Sequence, residues 1–148
     1  MRIEALGPVL LLVVAITGGC VSEPKATTAG NMTAIDSALA RGPVFVDFGA
    51  TWCSWCEKEK PVVQGLAGEY TAVTFLSVDT DQDTALADAF SVEGIPQMAI
   101  IVKKKADGSY VYIGPDGKAT TDRYSSRIIG YREAGELRPL LDAAAAAR

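Results

Sequence analysis

Histidine is absent from all 148 residues, which excludes Ser-His and Cys-His catalysis, His-ligated zinc and a haem held by a proximal histidine. Basic runs are nearly absent as well. Apart from Lys103-Lys104-Lys105 the 14 Lys and Arg residues are scattered, and 18 acidic residues leave a formal charge of −4. Nucleic acid is therefore not an expected partner. The apolar run from Val9 to Ile16 falls short of the roughly 20 residues that span a bilayer as a helix. Cysteine occurs only at positions 20, 53 and 56, so chemistry must come from thiols, carboxylates, Lys, Tyr or backbone.

What is present describes one small folded unit. Apolar residues make up 49% of the chain and charged residues 22%, too apolar for a disordered chain, and the length leaves room for one domain. Arg2, the apolar run, and Thr17-Gly18-Gly19-Cys20 read as an export signal over residues 1–20. The small residues before Cys20 resemble the lipobox of prokaryotic lipoproteins, although Thr17 stands where an apolar residue is usual and Glu4 dilutes the positive start. This resemblance implies cleavage before Cys20 and lipidation of its thiol, with a secreted form or an uncleaved anchor as alternatives. The expected location is extracytoplasmic, periplasmic or cell-surface. Residues 21–32, polar and without apolar periodicity, are expected to act as a flexible linker to a domain over 33–148.

Within that domain, Thr33 and Asp36 suggest a capped first turn for a short helix ended by Gly42-Pro43. Val44 to Phe48 is apolar on both faces apart from Asp47, as in a central strand. Ser54 to Tyr70 has helical spacing, with Val62, Val63, Leu66 and Ala67 inward, residues 57–60 expected outside, and Pro61 expected to bend it. A strand over Val73–Val78 and a helix over Thr84–Phe90 complete an alternation that implies parallel strands. Met98 to Val102 is a further strand. Turns at Asp107-Gly108 and Asp116-Gly117 make Ser109–Ile113 and Arg127–Tyr131 candidate antiparallel strands, one of them surplus. The last helix, Glu133–Ala147, is expected to start late or kink at Pro139.

The chemistry-bearing stretch is Trp52-Cys53-Ser54-Trp55-Cys56. Two cysteines separated by two residues at a strand-to-helix junction can close a small disulfide. The first lies at the helix N-terminus, where unpaired N–H groups and the dipole stabilise a thiolate and lower its pKa from about 8.5 toward ~3.5–7.5. Cys53 is thus the expected nucleophile, and Cys56, one turn on and expected to be more buried, the resolving thiol. Zinc would need two further ligands that the mature chain lacks. A purely structural bridge over so short a loop would stabilise little. A binding module, or passage of a soft ion such as Cu(I) through the two thiolates, is the competing reading. Lys103 to Lys105 could contact acidic headgroups, or form an ordinary solvated loop.

The stretch from Val46 to Cys56, followed by Pro61, by Gly94-Ile95-Pro96 some forty residues later and by Ile128-Ile129-Gly130-Tyr131, resembles the thioredoxin family. The resemblance covers residues 33–148. It implies an α/β, thioredoxin-like fold: a central mixed β-sheet of four or five strands with helices on both faces. It implies a thiol:disulfide oxidoreductase whose redox centre is the Cys53–Cys56 disulfide itself, with no other cofactor and no metal. Asp47 matches the buried aspartate that carries the resolving thiol's proton, in keeping with the raised pKa of a carboxyl inside an apolar strand. Pro96 is expected to be cis, the backbone of Ile95 to pair with an extended client, and Trp52, Ser54 and Trp55 to frame the sulfur atoms. Expected partners are proteins with disulfides or thiols, a redox partner that resets the pair, and a membrane reached through Cys20; a monomer is expected. Gly49 replaces a common aromatic residue, Phe75 stands where a lysine near the aspartate is frequent, Ser54-Trp55 replaces Gly-Pro, and Glu57 stands where a basic residue is frequent. The direction of electron flow therefore does not carry over.

Overall fold

Val44, Val46 and Phe48 face one way and Phe45 and Asp47 the other, the two-residue alternation of a strand with both faces covered. That strand, β2 (Val44–Gly49), lies at the centre of the sheet in a computed structural model that describes residues 27–28 and 32–147. Cys20 and the signal expected over 1–20 lie outside the described residues. In chain order the elements are β1 (Thr27–Thr28), α1 (Met32–Leu39), β2, α2 (Ser54–Glu69), β3 (Thr74–Asp79), α3 (Thr84–Ala89), β4 (Gln97–Lys104), β5 (Tyr110–Ile113), β6 (Ala119–Thr120), β7 (Ile128–Ile129) and α4 (Ala134–Ala146). The sheet runs β1-β3-β2-β4-β5-β6, with β7 pairing the start of β4. β2 is parallel to β3 and antiparallel to β4. Thr27–Thr28, within the segment expected as a linker, pair in parallel with Leu76 and Ser77 of β3.

Alternation on the central strands divides the core. Phe45, Phe75, Met98 and Ile100 pack with Val63 and Leu66 of α2 and Leu137 and Leu141 of α4 on one face. Val44, Val46, Phe48, Leu76 and Ile101 pack with Ile35 of α1 and Leu86 of α3 on the other. Asp47 shares the parity of Phe45 and so projects toward α2, which carries the cysteines. Leu137 has no exposed surface. Leu137→Ala is expected to cost about 2–5 kcal/mol through lost burial and an incompletely collapsed cavity, read as a lower urea midpoint with an unchanged slope.

Several local expectations change. α1 begins at Met32, so Thr33 lies inside its first turn and does not cap it. Asp36 instead accepts hydrogen bonds from Tyr110 Oη (2.6 Å) and Lys104 Nζ (2.8 Å), pinning α1 to the β4–β5 hairpin. The middle lysine of the 103–105 run is thereby engaged. Both candidate antiparallel strands form, and β6 adds a third. Gly108 and Gly117 have φ of +84° and +75°, which explains why each Asp-Gly pair turns the chain there. α4 begins at Ala134, before Pro139. Its start is fixed by the Glu136 carboxylate accepting from the Glu133 N–H (3.0 Å), and Pro139 lies on the exposed side. Among the described residues no helix is long and apolar enough to cross a membrane.

Candidate active site

β2 delivers the chain through Ala50-Thr51-Trp52 to Cys53, the N-cap of α2, whose sulfur accepts the Cys56 N–H at 3.1 Å. Cap geometry brings the third helical residue back over the cap, and the two sulfurs are joined as a disulfide, 2.15 Å apart with Cα atoms 5.2 Å apart. Both cysteines are 6% exposed, so the expected difference in burial is not present. Position distinguishes them: Cys53 ends the loop at the surface turn, whereas Cys56 lies within the first helical turn above Asp47 and Gly49. A Cβ at Gly49 would stand 3.3 Å from the Cβ and Sγ of Cys56, so a bare backbone lets β2 approach the second sulfur.

The two tryptophans stand open to solvent, Trp52 at 70% and Trp55 at 54% exposure. The Trp52 indole N–H donates to Asp81 Oδ2 at 2.8 Å, which fixes the ring. Trp55 is flanked by Tyr131, ring centres 5.8 Å apart, and by Lys58 Nζ at 4.2 Å from its ring centre. Ser54 is exposed between them. The Ile95-Pro96 peptide is cis, and Pro96 C=O accepts the Gly130 N–H at 2.8 Å. Ile95 and Trp52 line one open cleft, so the proline loop adjoins the redox turn.

Beneath the disulfide lies a half-open pocket of about 100 Å³ lined by Asp47, Gly49, Cys56, Lys60, Ser77 and Asp79. Burial pushes the Asp47 carboxyl up to about 6, against a smaller downward pull from Lys60. Register explains where that cation comes from. Asp47 stands opposite Ser77, while Phe75 stands opposite Phe45 and packs on its ring at 5.0 Å. Ser77 is directly opposite the aspartate, with Phe75 on the same face two residues earlier, and the nearby positive charge comes from Lys60 of α2.

Glu59 was expected outside and is inside, 0% exposed. It follows Cys56 and precedes Val63 and Leu66 at spacings of three, four and three, so the helical phase that buries those residues buries it too. Its Oε1 accepts the Arg132 N–H at 2.9 Å. Desolvation pushes its carboxyl up to about 7; the Arg132 N–H opposes this and the Asp47 charge adds to it. Glu59 Oε2 and Asp47 Oδ1 are both buried without a hydrogen-bond partner among the described residues. The active helix thus adds a second buried carboxyl to that of Asp47, and the 3-4-3 pattern could have revealed its burial.

A disulfide capping a helix on a mixed sheet, with a cis-proline loop beside it and a buried carboxyl below, defines a thioredoxin-fold redox domain. The chain belongs to the thioredoxin family: the family model described as Thioredoxin matches residues 26–123. Thioredoxin of Mycolicibacterium smegmatis is 36% identical over 106 residues, covering 67% of this chain and 91% of that protein. The chloroplastic M-type thioredoxin of Brassica napus is 36% identical over 93 residues, covering 58% of this chain and 52% of that one. Across four of the curated relatives matched, the alignments span only 41% to 62% of their length. The structure of a thioredoxin mutant from Halobacterium salinarum NRC-1 superposes with a TM-score of 0.63 at 26% identity, covering 86% of this chain and 96% of that one.

Proposed function

We propose that the protein is an extracytoplasmic thiol–disulfide oxidoreductase acting on protein disulfides through Cys53 and Cys56. The observation that carries this is the placement of that disulfide at the N-terminus of α2, beside the cis Ile95–Pro96 loop. In the reducing direction the Cys53 thiolate attacks a client disulfide. A Cys53–client bond forms, and the first client sulfur leaves as a thiolate and takes a proton. Cys56 then gives its proton to the Asp47 carboxylate and attacks Cys53 Sγ, releasing the second client sulfur. Two electrons pass to the client, and the protein is left as the disulfide. A dithiol donor resets it.

Ile95 supports the client-binding role, because its backbone N–H and C=O have no backbone partner among the described residues and are open to strand-like pairing with an extended segment. Asp47, its carboxyl raised to about 6, can accept and release a proton near neutrality, as a resolving step requires.

The export-signal pattern ending at Cys20 supports a lipid-anchored location, and the chain is proposed to act as a monomer. Mass spectrometry of membrane-extracted protein is expected to show Cys20 as a lipidated N-terminus; an unmodified chain beginning at Met1 would overturn the anchor. Equilibration with glutathione tests the exchange function itself. A single two-electron transition between dithiol and disulfide is expected, near −270 mV for a reductant or near −120 mV for an oxidant, and a pair that does not exchange with glutathione removes the proposal.

A further inference from the structure

The cleft shared by Trp52 and Ile95 has a volume of about 290 Å³, an apolar lining from Trp52, Ala87, Val92 and Ile95, and carboxylates from Asp88 and Glu93. Its wall belongs to segment 79–95, which contains Asp79, Asp81, Asp83, Asp88 and Glu93 and no Lys or Arg. The first three use their oxygens on neutral donors: the Asp81 N–H and Gln82 Nε2, the Trp52 indole, and the Leu86 N–H. Such bonds hold the carboxylates in place without cancelling their charge. Glu93 is offset by Arg127 at 3.2 Å, whose side chain is only 7% exposed and lies 3.5 Å from the Tyr124 ring centre.

The Trp55 side of the disulfide carries a cation, Lys58, over the indole, while the Arg132 guanidinium on the loop before α4 is paired with Glu136 at 3.9 Å. A client crossing Cys53 therefore meets the carboxylate of Asp88 in the Trp52 cleft and the ammonium of Lys58 beside Trp55. The exposed face of Trp52, its ring held by Asp81, adds a surface suited to a cation.

We propose that this cleft selects disulfides flanked within a few residues by lysine or arginine, the basic side chain seating over Trp52 against Asp88 and Glu93. The inference rests on the exchange function above and names its client class. Charge complementarity of this kind acts mainly on the encounter rate and on orientation. A glutamate in the same place would meet the like charge of Asp88.

The test uses the reduced full chain and two short peptides, each with one internal disulfide, that differ only in Lys or Glu on either side of one cysteine. Each rate is divided by that peptide's rate with dithiothreitol, because neighbouring charge alters the leaving thiol's own pKa. The lysine peptide is expected to react about tenfold faster at low ionic strength, with the ratio collapsing toward one at about 0.5 M salt as the charges are screened. Asp88→Lys is expected to shrink the low-salt ratio severalfold. The salt series on the unaltered protein carries the test if that variant misfolds. Equal normalised rates at low salt, with neutral hydroxyethyl disulfide still reduced, would overturn the basic-client inference and leave the exchange function standing. Failure to reduce any of the three disulfides would overturn both.

Discussion

Serine in place of Cys53 is expected to abolish protein-disulfide turnover, a loss on the order of 10³-fold or more, as for removal of a covalent nucleophile. The argument is local. Cys53 is the helix cap, at the positive end of the α2 dipole, and a hydroxyl there has neither the acidity nor the nucleophilicity to open a disulfide. Cys56→Ser is expected to differ in kind: Cys53 still attacks, no second thiol resolves the adduct, and a mixed disulfide with the client accumulates. Non-reducing electrophoresis after mixing with a disulfide-bonded protein separates the two. An adduct in the Cys56→Ser sample and none in the Cys53→Ser sample is the expected pattern. Full activity in Cys53→Ser would remove the mechanism.

How much of this was legible before the fold was known depends on the range of the interaction involved. β2, α2 and the C-x-x-C turn depend on near neighbours: an apolar run between turn signals, a helical period, and two cysteines at its start. The cis-proline loop came from family resemblance, since nothing in Gly94-Ile95-Pro96 alone specifies the isomer. What the sequence concealed was long-range. Asp36 looked like half of a capping pair and proved to be the anchor for Tyr110 and Lys104, more than sixty residues away. Phe75 stands where relatives have a lysine near the aspartate, but only the β2–β3 register shows that Ser77 lies directly opposite Asp47. β6, two residues long, is too short to show any period. Glu59 was different, because its phase was readable and a charged side chain was assumed to point outward. Charge is a strong prior for exposure, and it fails most often where a buried titratable group has work to do.

That burial should show as a conflict between stability and activity. A carboxyl whose pKa is raised on folding stabilises the folded state, relative to its ionised form, below its unfolded pKa and loses that contribution as pH rises through the folded value. For Asp47 the window runs from 3.8 to about 6 and for Glu59 from 4.5 to about 7. At pH 8 both charges are buried, and each shift is worth up to about 3 kcal/mol at 1.36 kcal/mol per pKa unit. Asp47→Asn and Glu59→Gln are each therefore expected to raise the urea midpoint at pH 8 and to change it little at pH 4. The gains are not expected to add, because the Asp47 charge is one of the causes of the Glu59 shift; in Asp47→Asn, Glu59 should titrate below its present value. Activity should move the other way. Without a carboxylate below Cys56 the resolving thiol loses its proton acceptor, a loss of about 10²-fold or more for general-base removal, largest near pH 7 and smaller where hydroxide can substitute. A structural carboxyl would give the stability change alone. An Asp47→Asn variant that is more stable at high pH and slower in resolution, with Cys53 alkylated by iodoacetamide at an undiminished rate, would show that the cost of burying this charge is retained for the second half of the exchange.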